Sequence, residues 1–123
     1  MTLLLVALGG AFGAMTRHLT VLAAARTLGP NFPWGVAIAN VAGSFAMGVL
    51  AALLLERSGA ASRFAPLILT GFLGGFTTFS AFSLDFARLV ETGRLIAALA
   101  YAGGSVILSL CAVFFGLMAG RAI

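Results

Sequence analysis

Four apolar runs, each long enough to cross a bilayer, occupy most of this 123-residue chain. A helical span needs about 20 apolar residues, and the runs lie at about 3–25, 34–55, 64–84 and 95–120. With 62% hydrophobic and 8% charged residues, a soluble domain of this length would have too little interior to hide its apolar surface. The sequence therefore predicts an all-α membrane protein, built as a single transmembrane domain of four helices.

The basic residues stand mostly at the edges of these runs. All seven are arginines, and most occur singly in the short gaps, which suits anchoring beside lipid headgroups. A net charge of +4 would indicate nucleic acid only if the arginines clustered on one polar face, so no nucleic-acid partner is expected. The first run has no basic segment before it and no convincing cleavage site, which favours a mature span over a signal peptide.

The loop charges give no preferred orientation. Three arginines are expected on each side of the membrane: Arg57, Arg63 and Arg121 with the termini, and Arg26, Arg88 and Arg94 opposite. Orientation normally follows the Lys/Arg excess, so the even split favours insertion both ways round. An antiparallel homodimer follows, because four short helices can hardly enclose a pathway alone. The alternative is that one arginine near a span end dominates and sets a single orientation.

The middle of the third run predicts a break in that span. Gly74 and Gly75 are followed by Thr77 and Thr78, which makes a poor helix centre. In lipid a break is tolerated only where protein, water or an ion satisfies the freed backbone groups. Freed carbonyls could hold a cation, and freed N–H groups could face an anion. The alternative is that the glycines only allow close helix packing, but the hydroxyls crowded after them favour the break.

Neutral polar side chains also mark one face of the second and fourth runs. Asn40 and Ser44 are four residues apart, so they share a helix face. The fourth run repeats this spacing with Tyr101, Ser105 and Ser109. An asparagine at mid-span can instead hold two helices together by a hydrogen bond between them. Together these residues would supply neutral hydrogen-bond donors inside the membrane.

Two rings and one arginine complete the candidates. Phe79 and Phe82 are three residues apart on either side of Ser80, and their positive edges could offer weak contacts to a small anion. The alternative places these rings in the core or against lipid. Arg17 lies inside the first run, where a charge is expensive, and in an aqueous vestibule it would raise the local anion concentration. The alternative is that Arg17 snorkels to the interface.

The acidic residues are predicted to lie at span ends or in loops: Glu56, Asp85 and Glu91. A proton-coupled exporter of cationic compounds needs a carboxylate at mid-depth, so a lining of neutral donors favours an anion. No enzyme is expected, since His18 has no partner at metal-ligand spacing and no nucleophile has a base. Two alternatives stay open: a small dual-topology exporter of cationic compounds, and an assembly subunit that transports nothing.

At these residues the sequence resembles the Fluc (CrcB) family of fluoride channels, over essentially the whole chain. The first similar motif is GAFGAMTR at 10–17, and the second is WG at 34–35 followed by NVAGSF at 40–45. The third and most specific is GFLGGFTTFSAF at 71–82. This chain has Ala81 where the family often has Thr or Ser.

The resemblance implies an antiparallel homodimer in the bacterial cytoplasmic (inner) membrane, with two pores that export fluoride passively and lower its toxicity. By this similarity Asn40, Phe79 and Phe82 would line a pore, together with or close to Ser44, Thr78, Ser80, Tyr101, Ser105 and Ser109. Arg17 would match a vestibule arginine. A structural Na⁺ would be held between the two subunits by backbone carbonyls at positions matching Gly74 and Thr77.

Overall fold

The computed structural model describes residues 1–57 and 62–123. Four helices in it are long and apolar enough to cross a membrane: Thr2–Leu28, Trp34–Glu56, Pro66–Glu91 and Leu95–Ala122. No strand occurs in the described residues. The predicted all-α architecture with four membrane-spanning helices is therefore confirmed. Half of the gap predicted between the second and third runs, residues 58–61, lies outside the described residues.

The second and third spans are not uniform α-helices. The elements are α1 (Thr2–Leu28), α2 (Trp34–Ala51) with a π-helical turn (Ala52–Glu56), a π-helical segment (Pro66–Leu73), α3 (Gly74–Phe76), α4 (Ser80–Glu91) and α5 (Leu95–Ala122). The loop after α1 begins at Gly29, with φ 87°, and the turn after α4 contains Gly93, with φ 78°. Both positions need glycine, because side chains disfavour this left-handed region.

The third span is broken as predicted, but the break lies after the glycine pair. Gly74 and Gly75 are helical, while Thr77 is extended with φ −82° and ψ 155°, and the helix resumes at Ser80. A Cβ on Gly75 would lie 2.6 Å from the carbonyl oxygen of Gly10 in α1. Close packing at Gly75 and a break in the span therefore occur together.

The third span is longer than predicted. Its second half, α4, runs to Glu91, seven residues beyond the predicted end at residue 84, so Asp85 lies inside the helix and not at its end. The apolar pattern explains the difference. Phe86 packs against the buried cluster around Leu89, which keeps this face of α4 on the bundle.

Glycines let the helices approach one another closely. A Cβ on Gly71, in the third span, would lie 2.9 Å from the Cα of Gly9 in α1. Between α2 and α5, a Cβ on Gly116 would lie 3.1 Å from the Cα of Gly48. Small residues at such contacts let membrane helices gain van der Waals packing between their backbones.

We expect Gly75→Ala to destabilise the fold, because the new methyl group meets the backbone of α1. Overpacking of this kind costs about 1–3 kcal/mol in the free energy of unfolding. The matched control is Gly103→Ala, whose Cβ would meet nothing within 4 Å and which gains helix propensity. Thermal unfolding in detergent compares the two, and equal midpoints would contradict the proposed contact.

Candidate functional site

An open groove of about 560 Å³ lies between α2, the break in the third span, α4 and α5. We call it the polar groove. Its lining includes seven of the predicted pore residues, Asn40, Ser44, Thr78, Phe79, Phe82, Ser105 and Ser109, together with Gly74 and Thr77. Ser80 and Tyr101 lie outside this lining. The groove therefore collects polar groups from three spans, and none of its described lining residues is charged.

The backbone of the break is bonded to the side chain of Asn40. Its Nδ2 donates to the carbonyl oxygen of Thr78 at 2.9 Å, and the backbone N–H of Thr78 donates to its Oδ1 at 2.8 Å. The amide thus satisfies both backbone groups of Thr78, which the interrupted helix leaves without partners. Its nitrogen carries a second N–H, so Asn40 can also contribute a donor to the groove that it lines.

The hydroxyls around the break stabilise the ends of the two half-helices. The backbone N–H of Ala81 donates to Thr78 Oγ1 at 3.2 Å, which places an accepting oxygen at the first turn of α4. Ser80 Oγ lies 3.3 Å from the same Thr78 oxygen. On the other side of the break, the hydroxyl of Thr77 donates to the carbonyl of Leu73 at 2.9 Å. These contacts order the chain where it leaves the helix.

Phe79 and Phe82 lie next to one another on the groove. Their ring centroids are 5.5 Å apart, with an interplanar angle of 42°. Phe79 is 78% exposed and lies on the open side. Phe82 also packs against the buried cluster that contains Tyr101.

Two serines of α5, Ser105 and Ser109, line the polar groove. Ser105 is buried, with 7% of its surface exposed. Ser109 Oγ is buried and has no hydrogen-bond partner among the described residues. An unsatisfied buried hydroxyl costs about 1–3 kcal/mol, which a ligand or a second chain in the groove could offset.

Tyr101 does not line the polar groove, although the family resemblance implies a position in or close to the pore. Its side chain is only 1% exposed, and its hydroxyl donates to Asp85 Oδ2 at 3.2 Å. Asp85 in turn lines a second cavity, of about 650 Å³, at one end of the helices. Tyr101 therefore lies between the polar groove and this second cavity.

Arg17 lines the second cavity and not the groove. We call it the arginine cavity; its charged or titratable lining residues are Arg17, His18, Asp85, Arg88 and Arg94. Sequence reasoning proposed only Arg17 for a vestibule. Asp85 and Arg88 are three residues apart and share a face of α4. This pattern was missed because the third span was predicted to end at residue 84, before both residues.

The end of α3 offers backbone oxygens to a cation. Thr77 is extended, so the last carbonyls of α3 have no following helical turn to bond. Gly74 is exposed and, like Thr77, lines the groove. No group of three or more His, Cys, Asp or Glu side chains that could hold a metal occurs in the described part of the chain. The backbone carbonyl oxygens at the end of α3 are the kind of ligand that a hard cation takes.

The fold and the groove define a small multi-pass membrane protein with a pathway of neutral hydrogen-bonding groups. Residues 4–117 match the family described as CrcB-like protein, Camphor Resistance (CrcB), and the chain belongs to this family. The predicted resemblance is thereby confirmed. Family membership and the four spans identify a multi-pass protein of the bacterial inner membrane.

Similar proteins named fluoride-specific ion channel FluC occur in several bacteria. The protein of Chelativorans sp. (strain BNC1) is 55% identical over 98% of this chain and 97% of its own length. That of Mesorhizobium japonicum is 50% identical over 98% and 97%, and that of Paracoccus denitrificans is 54% identical over 98% and 94%. These similarities cover all four spans and the residues of the groove.

We expect Asn40→Ala to lower the thermal unfolding midpoint, because it leaves the N–H and carbonyl of Thr78 without their partner. Each unsatisfied buried group costs about 1–3 kcal/mol in the free energy of unfolding. Ser44→Ala is the matched control, since it removes a polar group one turn along the same helix face. Similar midpoints for both variants would show that Asn40 does not stabilise the break.

Proposed function

We propose that this chain forms a fluoride-specific channel. Fluoride would leave the cytoplasm through it passively, which lowers the toxic effect of fluoride in the cytoplasm. The observation that carries the proposal is the polar groove, whose described lining offers amide, hydroxyl and ring-edge groups and no charged side chain. Relatives named fluoride-specific ion channels, at 50% to 55% identity over nearly the whole chain, support the same ion. An ion channel of this kind is not an enzyme.

The chemistry of the groove suits a small, strongly hydrated anion. Fluoride must exchange its hydration shell for protein donors in a narrow pore. The Asn40 amide and the hydroxyls of Thr78, Ser105 and Ser109 can supply such donors. The positive edges of the Phe79 and Phe82 rings can add weak contacts. Because all of these groups are neutral, they can replace water without holding the ion too tightly to conduct.

We also propose that two antiparallel copies form the channel within membrane lipid. The groove of one copy is open, and Phe79 on its open side is 78% exposed, which supports closure by a second copy. The even division of the loop arginines supports opposite orientations of the two. The proposed partners are therefore the chain itself, fluoride and lipid.

One structural Na⁺ between the copies is part of this proposal. The carbonyls of Gly74 and Thr77 would hold it, where the interrupted helix ends with its negative dipole. When bound, the ion would offset the charge of carbonyls brought together from two chains. Oxygen ligands of this kind suit a hard cation.

An exporter of cationic compounds is the less favoured alternative. Such a protein needs a carboxylate on the transport path. Asp85 does lie within a span, contrary to the expectation from sequence. However, its carboxylate accepts a hydrogen bond from Tyr101, and it lines the arginine cavity. A cationic compound is poorly matched to a cavity that also contains three arginines.

We expect Phe79→Ile and Phe82→Ile to depress fluoride flux while leaving assembly intact, because an aliphatic side chain keeps the bulk but loses the positive ring edge. Flux is measured as efflux from liposomes loaded with potassium fluoride, started with valinomycin and followed with a fluoride electrode. A loss of roughly tenfold or more would be typical of a pore contact worth about 1.4 kcal/mol. Phe64→Ile, outside the groove lining, is the matched control and should conduct like the unmodified chain.

Parallel liposomes loaded with potassium chloride test selectivity. No fluoride efflux from correctly assembled unmodified protein would contradict the proposed channel, and equal chloride efflux would contradict its selectivity. If the channel works but neither substitution changes its fluoride flux, the rings serve only in packing.

We expect removal of sodium to destabilise the assembly by several degrees, because the carbonyls at the break would lose their bridging ion. The thermal unfolding midpoint in detergent is compared in sodium chloride and in choline chloride at equal ionic strength. Sodium titrated back should restore the midpoint and saturate. Identical midpoints in both salts would exclude a stabilising sodium ion.

A further inference from the structure

A row of aromatic rings connects the loop after α1 with the polar groove. The ring of Tyr101 lies 5.2 Å from that of Phe82, which lines the groove, with an interplanar angle of 34°. It also lies 5.5 Å from the ring of Phe32, edge-on at 87°. Phe32 lines the arginine cavity. Tyr101, only 1% exposed, is thus packed between one ring from each cavity.

The loop that carries Phe32 is held in place from several directions. The carbonyl of Phe32 accepts a hydrogen bond from the backbone N–H of Trp34 at 2.8 Å, and the two rings are 4.6 Å apart. The preceding carbonyl, of Asn31, accepts a hydrogen bond from the guanidinium of Arg94. These contacts join the loop after α1 to the turn after α4. They fix the ring of Phe32 against Tyr101.

The orientation of the Tyr101 ring determines where its hydroxyl lies. That hydroxyl donates to Asp85 Oδ2 at 3.2 Å, and Asp85 lines the arginine cavity. A smaller side chain at position 32 would leave space beside the ring. The ring could then tilt into that space and carry its hydroxyl away from Asp85.

We propose that Phe32 is a positioning residue, which holds the Tyr101 hydroxyl at the boundary where fluoride passes between the arginine cavity and the polar groove. The inference rests on the proposed fluoride function. Phe32 acts only through Tyr101: its own ring offers no hydrogen bond, and it lies on the cavity side. The opposing reading is that Phe32 simply fills space in the fold.

A double-mutant cycle separates the two readings. Fluoride efflux from proteoliposomes is measured for Phe32→Leu, for Tyr101→Phe and for the double variant, with Phe64→Leu at the other end of the bundle as the matched control. We expect Phe32→Leu to lower fluoride efflux roughly tenfold, in line with the coupling between touching side chains. In the Tyr101→Phe background the same substitution should have no further effect, because the hydroxyl that it positions is already gone.

Multiplying losses in the double variant would overturn the proposal, as would a Tyr101→Phe variant that conducts normally. Should Phe32→Leu fail to assemble, Phe32→Met, which removes the ring but keeps most of its volume, is put through the same cycle with the same expectation. Failure of the unmodified protein to pass fluoride would instead reject the proposed function itself.

Discussion

The pair of hydrogen bonds between Asn40 and Thr78 is the interaction on which the rest of the site depends. A membrane helix cannot be interrupted unless its freed backbone groups find partners, and one amide supplies both a donor and an acceptor to the interrupted residue. The break turns Phe79 and Phe82 toward the groove and leaves the carbonyls at the end of α3 without a following turn. Without this contact an unbroken helix would be favoured.

The membrane environment also explains how the helices pack. Few side chains form a buried core, so the helices gain stability from close backbone contacts at glycines, such as Gly9 with Gly71 and Gly48 with Gly116. The polar groups of three spans then share one open groove. Association of two copies would cover the exposed ring of Phe79 and could supply a partner to the Ser109 hydroxyl, which has none among the described residues.

Local patterns in the sequence were sufficient for the four spans and for a break in the third, because apolar length and glycine and threonine content act over a few residues. The position of the break was not predictable locally: Asn40 is 38 residues away from Thr78. Asp85 suggested a helix end. However, the apolar residues Phe86 and Leu89 follow it and pack in the bundle, so α4 continues as a helix. The arginine cavity depends on how two loops meet, and the contact of Arg94 with Asn31 leaves no pattern in the sequence.

We propose that two copies of the chain are needed to make one fluoride-conducting unit. This stoichiometry can be measured in liposomes that contain decreasing amounts of protein. Each vesicle with at least one conducting unit loses its fluoride, so the fraction of vesicles that retain fluoride gives the number of units. That number is compared with the number of chains reconstituted. We expect each conducting unit to contain two chains. A unit of one chain, with fluoride efflux intact, would contradict it.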